Sequence, residues 1–130
     1  MAETANGLVT LKSAHPVDET VAKIRALLEA KQIHEFVLID HSGEAAKAGL
    51  TMPKTQVLIF GNPKGGTPLM LAAPSIAIDL PLKLLVREDA AGDVWVSYWP
   101  AQVLLARYGL PESFAANLSV SELIARQAVE

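Results

Sequence analysis

Four consecutive apolar residues, Val57-Leu58-Ile59-Phe60, constrain this chain more than any other stretch. The run is short, rich in β-branched and aromatic side chains, and closed by Gly61, so it predicts a strand covered on both faces and central in a sheet. The segment after it, "GNPKGGTP", has to turn the chain sharply. Thr67 is expected to cap the next helix with Pro68 at its first position, and Pro74 to stop it.

The flanking segments place that strand. "LVTLKSA" reads as a first strand, and "HPVDETVAKIRALLEAKQ" sets Val17, Val21, Ile24 and Leu28 on one helical stripe, with Pro16, Asp18 and Glu19 marking its start. "HEFVLID" reads as a half-buried strand, and "HSGEAAKAG" as a short helix capped by Ser42 and ended by Gly49. "LPLKLLVRED" and "DVWVSYW" form a hairpin through a glycine-containing connection, with Val94, Val96 and Tyr98 on one face and Trp95, Ser97 and Trp99 on the other. "AQVLLARYGL" predicts a helix ended by Gly109, and Ser119 to Glu122 has the capping-box pattern that opens a last helix over 119–129. The order β-α-β-α-β-α-β-β-α-α predicts an α+β, two-layer fold: a mixed five-stranded sheet with helices packed on it.

At 130 residues the chain fits a single domain, 1–130, able to bury a core without staples. The absence of cysteine excludes disulfides, thiolate metal sites and a cysteine nucleophile. A net charge of −3 with scattered basic residues argues against a nucleic-acid partner. Pro74, Asp79, Pro81 and Lys83 interrupt the longest apolar stretch, so no membrane span is expected; an N-terminus with Glu3 and no apolar region after it points to the cytoplasm. The hydrophobic fraction of 51% leaves apolar surface for a subunit interface, for which Trp99 is the first candidate.

The glycine-rich segment is the main candidate site. Phosphate cradles converge glycine-freed amides on an oxyanion beside a helix N-terminus. Here Gly65, Gly66 and Thr67 could supply amides, with Asn62 making the turn and Lys64 adding charge. Lysine precedes the glycines instead of following them and Pro68 lacks an amide hydrogen, so the P-loop pattern fails and nucleotide hydrolysis is rejected. The competing reading is a tight turn and a helix cap with no ligand.

His41, next to Asp40 at a strand end, is a candidate ligand-binding group or general base; Glu88 could approach it in space. The spacing of His15, His34 and His41 makes no ready chelate, so no metal is expected. No nucleophile elbow is present, and the sequence names neither a reaction nor a cofactor.

"TVAKIRALLEAK", "IDHSGEAAKAGL", "TQVLIFGNPKGGTPLMLAAPSIAIDLPLKLLVRED" and "VWVSYWPAQVLLARYGL" together resemble the bacterial and archaeal family catalogued as domain of unknown function 302, over about residues 10 to 110. The resemblance implies a small α+β domain that associates as a homodimer, with no established activity. Trp99-Pro100 and Tyr108 depart from the family pattern, which often has an Asn-Asp type turn and a histidine there.

The expectation is a dimeric, cytoplasmic domain binding a small ligand or anion between the 61–67 loop and the His41 region. Two further readings remain: an enzyme with His41 as general base and Lys64 as electrostatic stabiliser, and a structural or partner-binding dimer without a ligand.

Overall fold

The computed structural model describes residues 2–130. Six strands, β1 (Ala2–Ala5), β2 (Leu8–Ser13), β3 (His34–Asp40), β4 (Thr55–Gly61), β5 (Leu82–Glu88) and β6 (Val94–Tyr98), form one sheet in the order β1-β2-β6-β5-β4-β3. Helices α1 (Val17–Ala30), α2 (His41–Lys47), α3 (Pro63–Ala72), α4 (Ala101–Tyr108), α5 (Ala115–Leu118) and α6 (Val120–Ala128) complete the α+β fold.

Every neighbouring pair is antiparallel, so the expectation of a mixed sheet is overturned. The β-α-β order suggested parallel neighbours, but α1 carries the chain from β2 across three strand positions to the far edge, and the late β5–β6 hairpin fills the gap. The count of five strands is corrected to six. Asn6 and Gly7, at φ 57° and 83°, turn Ala2–Ala5 back onto β2, and an Asn-Gly pair at positive φ is the usual two-residue hairpin turn.

Alternation decides which face is buried. Leu11, Leu58, Phe60, Leu84, Val86, Val96 and Tyr98 point to one face, where α1 contributes Val17, Val21, Ile24 and Leu28 and α6 contributes Ile124, Ala125 and Ala128. Each of the Val, Leu, Ile and Phe side chains among them stabilises the fold by roughly 1.5–3 kcal/mol relative to exposure. β4 lies inside the sheet but only one strand from its edge: Leu58 and Phe60 are fully buried, whereas Val57 and Ile59 are partly covered.

The opposite face carries Thr10, Ser97 and Trp95, with Thr10 Oγ1 and Ser97 Oγ 2.8 Å apart and Trp95 Nε1 donating to Asp89 Oδ2 at 2.8 Å. Trp99 is half-buried within its own chain, under the Arg107 guanidinium 4.9 Å from its ring centre.

The starts of α2 and α6 differ from expectation. Asp40, not Ser42, caps α2 by accepting from the Gly43 amide at 2.9 Å, while Ser42 donates to the same carboxylate. The capping box at Ser119 does not form, because α5 runs into α6 with Ser119 itself helical (φ −83°, ψ −7°), leaving no extended cap residue.

Candidate functional site

The chain leaves β4 at Gly61 and begins α3 at once. Asn62 is the cap: its Oδ1 accepts from the Lys64 amide at 3.0 Å, and its carbonyl accepts from the Gly65 and Gly66 amides, both at 2.9 Å. Pro63 takes the first helical position, where a missing N–H is harmless. The helix therefore starts at Pro63 and not at Pro68, and Thr67 lies inside it. Asn-Pro is as good a start signal as Thr-Pro, and the earlier pair starts the helix here, with the Asn62 side chain and carbonyl taking up its first free amides.

This changes the chemistry available. The amides of Lys64, Gly65 and Gly66 are spent on Asn62, so they do not form an outward-facing phosphate cradle.

Beside them, however, lies a cleft of about 590 Å³. Gly65, Gly66, Leu69 and Met70 of α3 form one wall, and Leu80, Pro81 and Leu82, leading into β5, form the floor. Ala116 and Asn117 of α5 and Val120 of α6 close the far side, while Phe36 of β3, half exposed, stands at the mouth. Asn117 Nδ2 donates to the Gly65 carbonyl at 3.0 Å and ties α5 to α3 across the cleft.

Neither glycine of the pair is at positive φ. A Cβ on Gly65 would meet only the Asn117 carbonyl oxygen at 3.8 Å; on Gly66 it would meet Met70 Cε at 3.8 Å and Leu80 Cδ1 at 3.9 Å. These are ordinary contacts, so neither backbone conformation nor packing demands glycine there. Gly43 is the contrast, since its Cβ would come 2.5 Å from Asp40 Oδ2.

His41 is not part of this cleft. Asp40 pairs with Gln56 and His34 with Gly61, so antiparallel pairing puts His41 at the far end of β4, five strand residues from Gly61. That is roughly 17 Å along the strand. The expected site spanning the loop and His41 does not assemble within one chain. His41 is exposed, and Asp40 does not orient it: the Gly43 amide and then the Ser42 hydroxyl hold that carboxyl below its usual pKa as a helix cap.

Glu88 also lies away from the loop. Its amide donates to the Lys54 carbonyl at 2.9 Å, and it borders a smaller cavity of about 280 Å³ with His15, Lys54 and Asp93. Among the described residues no three His, Asp or Glu side chains gather as a metal site.

Sequence reasoning found the glycine side of the cleft and missed Phe36, Leu80 and Asn117, which come from distant segments. Their types carry no local signal. It also missed a polar cluster near the cleft floor, in which the Tyr108 hydroxyl and Arg107 Nη1 donate to Asp79 Oδ2. The Tyr108 bond, then Arg107, lower the Asp79 pKa against the opposing effect of burial. Burial lowers that of Lys83, whose Nζ donates to the Pro81 carbonyl at 2.8 Å.

The fold and site thus define a class: a small α+β domain with one antiparallel sheet and an apolar cleft at the strand-to-helix corner after β4. The chain belongs to the family described as domain of unknown function DUF302, whose profile matches residues 9–126. Its fold is shared by an uncharacterized conserved DUF302 protein from Bacillus stearothermophilus, with a TM-score of 0.78, 14% identity, and coverage of 96% of this chain and 97% of that one.

Over 105 residues the chain is 39% identical to a protein named fluoride-specific ion channel FluC 1 from Brucella suis biovar 1 (strain 1330), covering 81% of this chain and 41% of the relative. A protein named fluoride-specific ion channel FluC 2 from Brucella melitensis biotype 1 (strain ATCC 23456 / CCUG 17765 / NCTC 10094 / 16M) matches at the same identity, with 39% of its length covered. The chain spans about two fifths of the length of these curated relatives. Among the described residues no helix is long and apolar enough to cross a membrane.

Proposed function

We propose that this chain is a small-ligand-binding domain and that its ligand occupies the cleft beside Gly65 and Gly66. One observation carries the reading. Glycine inside a helix is destabilising by roughly 0.5–1 kcal/mol relative to alanine. Both positions have room for a Cβ, and the lasting effect of leaving it out is an open cleft wall. A volume of about 590 Å³ lies within the range of small-molecule pockets, roughly 300–1,000 Å³.

The ligand reading replaces backbone capture of an anion with an apolar cavity whose polar groups, Asn62, Lys64, Thr67 and Asn117, are side chains. Native mass spectrometry of the purified protein, with amide NMR shifts on adding extracted small molecules, tests it. Retained mass with shifts confined to the cleft lining, within residues 33–36, 61–70, 77–82 and 116–120, is expected. Shifts elsewhere, or none, would overturn it.

The enzyme reading with His41 and Lys64 lacks a shared site within one chain. The homodimer remains a proposal favoured by a separate observation: Leu71 and Ile78, at the end of α3 and in the turn after it, are 79% and 83% exposed. The relatives named as fluoride-specific channels suggest that such a domain serves beside an anion channel. Fluoride sensitivity of cells lacking this chain tests that link, and growth unchanged from the parent under fluoride would count against it.

A further inference from the structure

We infer that the ligand of the cleft is an amphiphile with an apolar body and a single anionic head, of the chemical class of a medium-chain carboxylate. This rests on the cleft being a ligand site, and it names what the site selects.

The lining decides the body. Leu69, Met70, Leu80, Pro81 and Val120 offer hydrocarbon and a thioether, and the flexible unbranched Met70 adapts to a chain better than to a rigid polar ring. Half-exposed Phe36 extends the apolar surface out of the mouth. A nucleotide or sugar phosphate would bring several charges and hydroxyls into a place where the amides of Lys64, Gly65 and Gly66 are already engaged. Burying those groups without partners is costly.

The head is decided by the cationic side chain of the lining. Lys64 lines the cleft, and its ammonium makes no ion pair with any carboxylate among the described residues. One unpaired cation suits one negative charge. Asn62 and Asn117 anchor the helix turn and bridge α3 to α5, so they hold the backbone of the wall that carries Lys64.

Titration calorimetry with dodecanoate, dodecanol and inorganic phosphate separates the parts of this proposal. Saturable one-to-one binding of dodecanoate is expected, with dodecanol weaker by about fivefold, the upper end for an exposed ion pair, and no binding of phosphate. Lys64→Ala is expected to bring dodecanoate down to the level of dodecanol and to leave dodecanol unchanged. Equal affinity of the two amphiphiles, or indifference to Lys64→Ala, overturns the anionic head while the cleft reading stands.

Gly66→Leu fills the cleft from a position that tolerates a Cβ, and loss of both amphiphiles is expected. Ala116→Trp does the same from the opposite wall should the first variant fold poorly. Binding of neither amphiphile to the wild-type protein overturns the amphiphile proposal, whereas unchanged binding to folded filled variants sinks the cleft reading itself.

Discussion

Glycines separate into two kinds in this protein, and mutation should tell them apart. Gly66→Ala meets no obstacle at a helical φ, so it is expected to raise stability by about 0.5–1 kcal/mol. Gly109 ends α4 at φ 63°, where an L side chain is strained, and Gly109→Ala should destabilise by about 1 kcal/mol. Thermal melts of both check the contrast; a destabilised Gly66→Ala would mean that glycine there answers a need of the fold. A second residue-scale test concerns Asp79, whose folded pKa is lowered chiefly by Tyr108. Its stabilisation is present above the ordinary carboxylate value of 3.8 and is lost as pH falls through the lower folded value. Tyr108→Phe should therefore flatten the acid limb of stability against pH below about 4. An unchanged acid limb in denaturant titrations would show that this hydroxyl contributes nothing.

Helix starts are the element-scale lesson, because serine, threonine, aspartate and asparagine all advertise caps and only packing chooses among them. Asn62→Ala removes the side-chain bond to the Lys64 amide and is expected to cost about 1 kcal/mol. Ser119→Ala should be near neutral, since Ser119 caps nothing; its hydroxyl reaches only the Ala116 carbonyl, at 3.4 Å. Urea titrations of the pair test the assignment, and the reverse ranking would refute it. The β5–β6 hairpin was legible because its alternation is strong: Leu82, Leu84 and Val86, and Val94, Val96 and Tyr98, face the core as their period requires, whereas β1 was not read as a strand. The first helix of the site was legible in existence but not in its boundary. Two Xaa-Pro start signals, Asn62-Pro63 and Thr67-Pro68, stand five residues apart, and each satisfies the same local rule.

For the whole molecule, the proposed homodimer is the property to test. Leu71→Lys combined with Ile78→Lys should shift a dimer to monomer in sedimentation equilibrium with little change in melting temperature, because both side chains are exposed in the single chain. A wild-type monomer, or a dimer indifferent to both changes, would exclude that surface. The amino-acid sequence by itself determined the α+β class, the stripe of α1, the strand faces and the glycine side of the cleft, since these arise from periodicity and local backbone preference. Only the tertiary structure decided strand direction and which ends of the sheet meet. Antiparallel pairing of β3 with β4 sends His41 away from Gly61 and brings His34 beside it instead. The cleft likewise exists only once α5, α3 and the entry to β5 converge, and Asn117 reaches the Gly65 carbonyl across 52 positions of sequence. Such contacts carry no local signature, because their energy comes from burying surfaces that become neighbours only when the whole chain has folded.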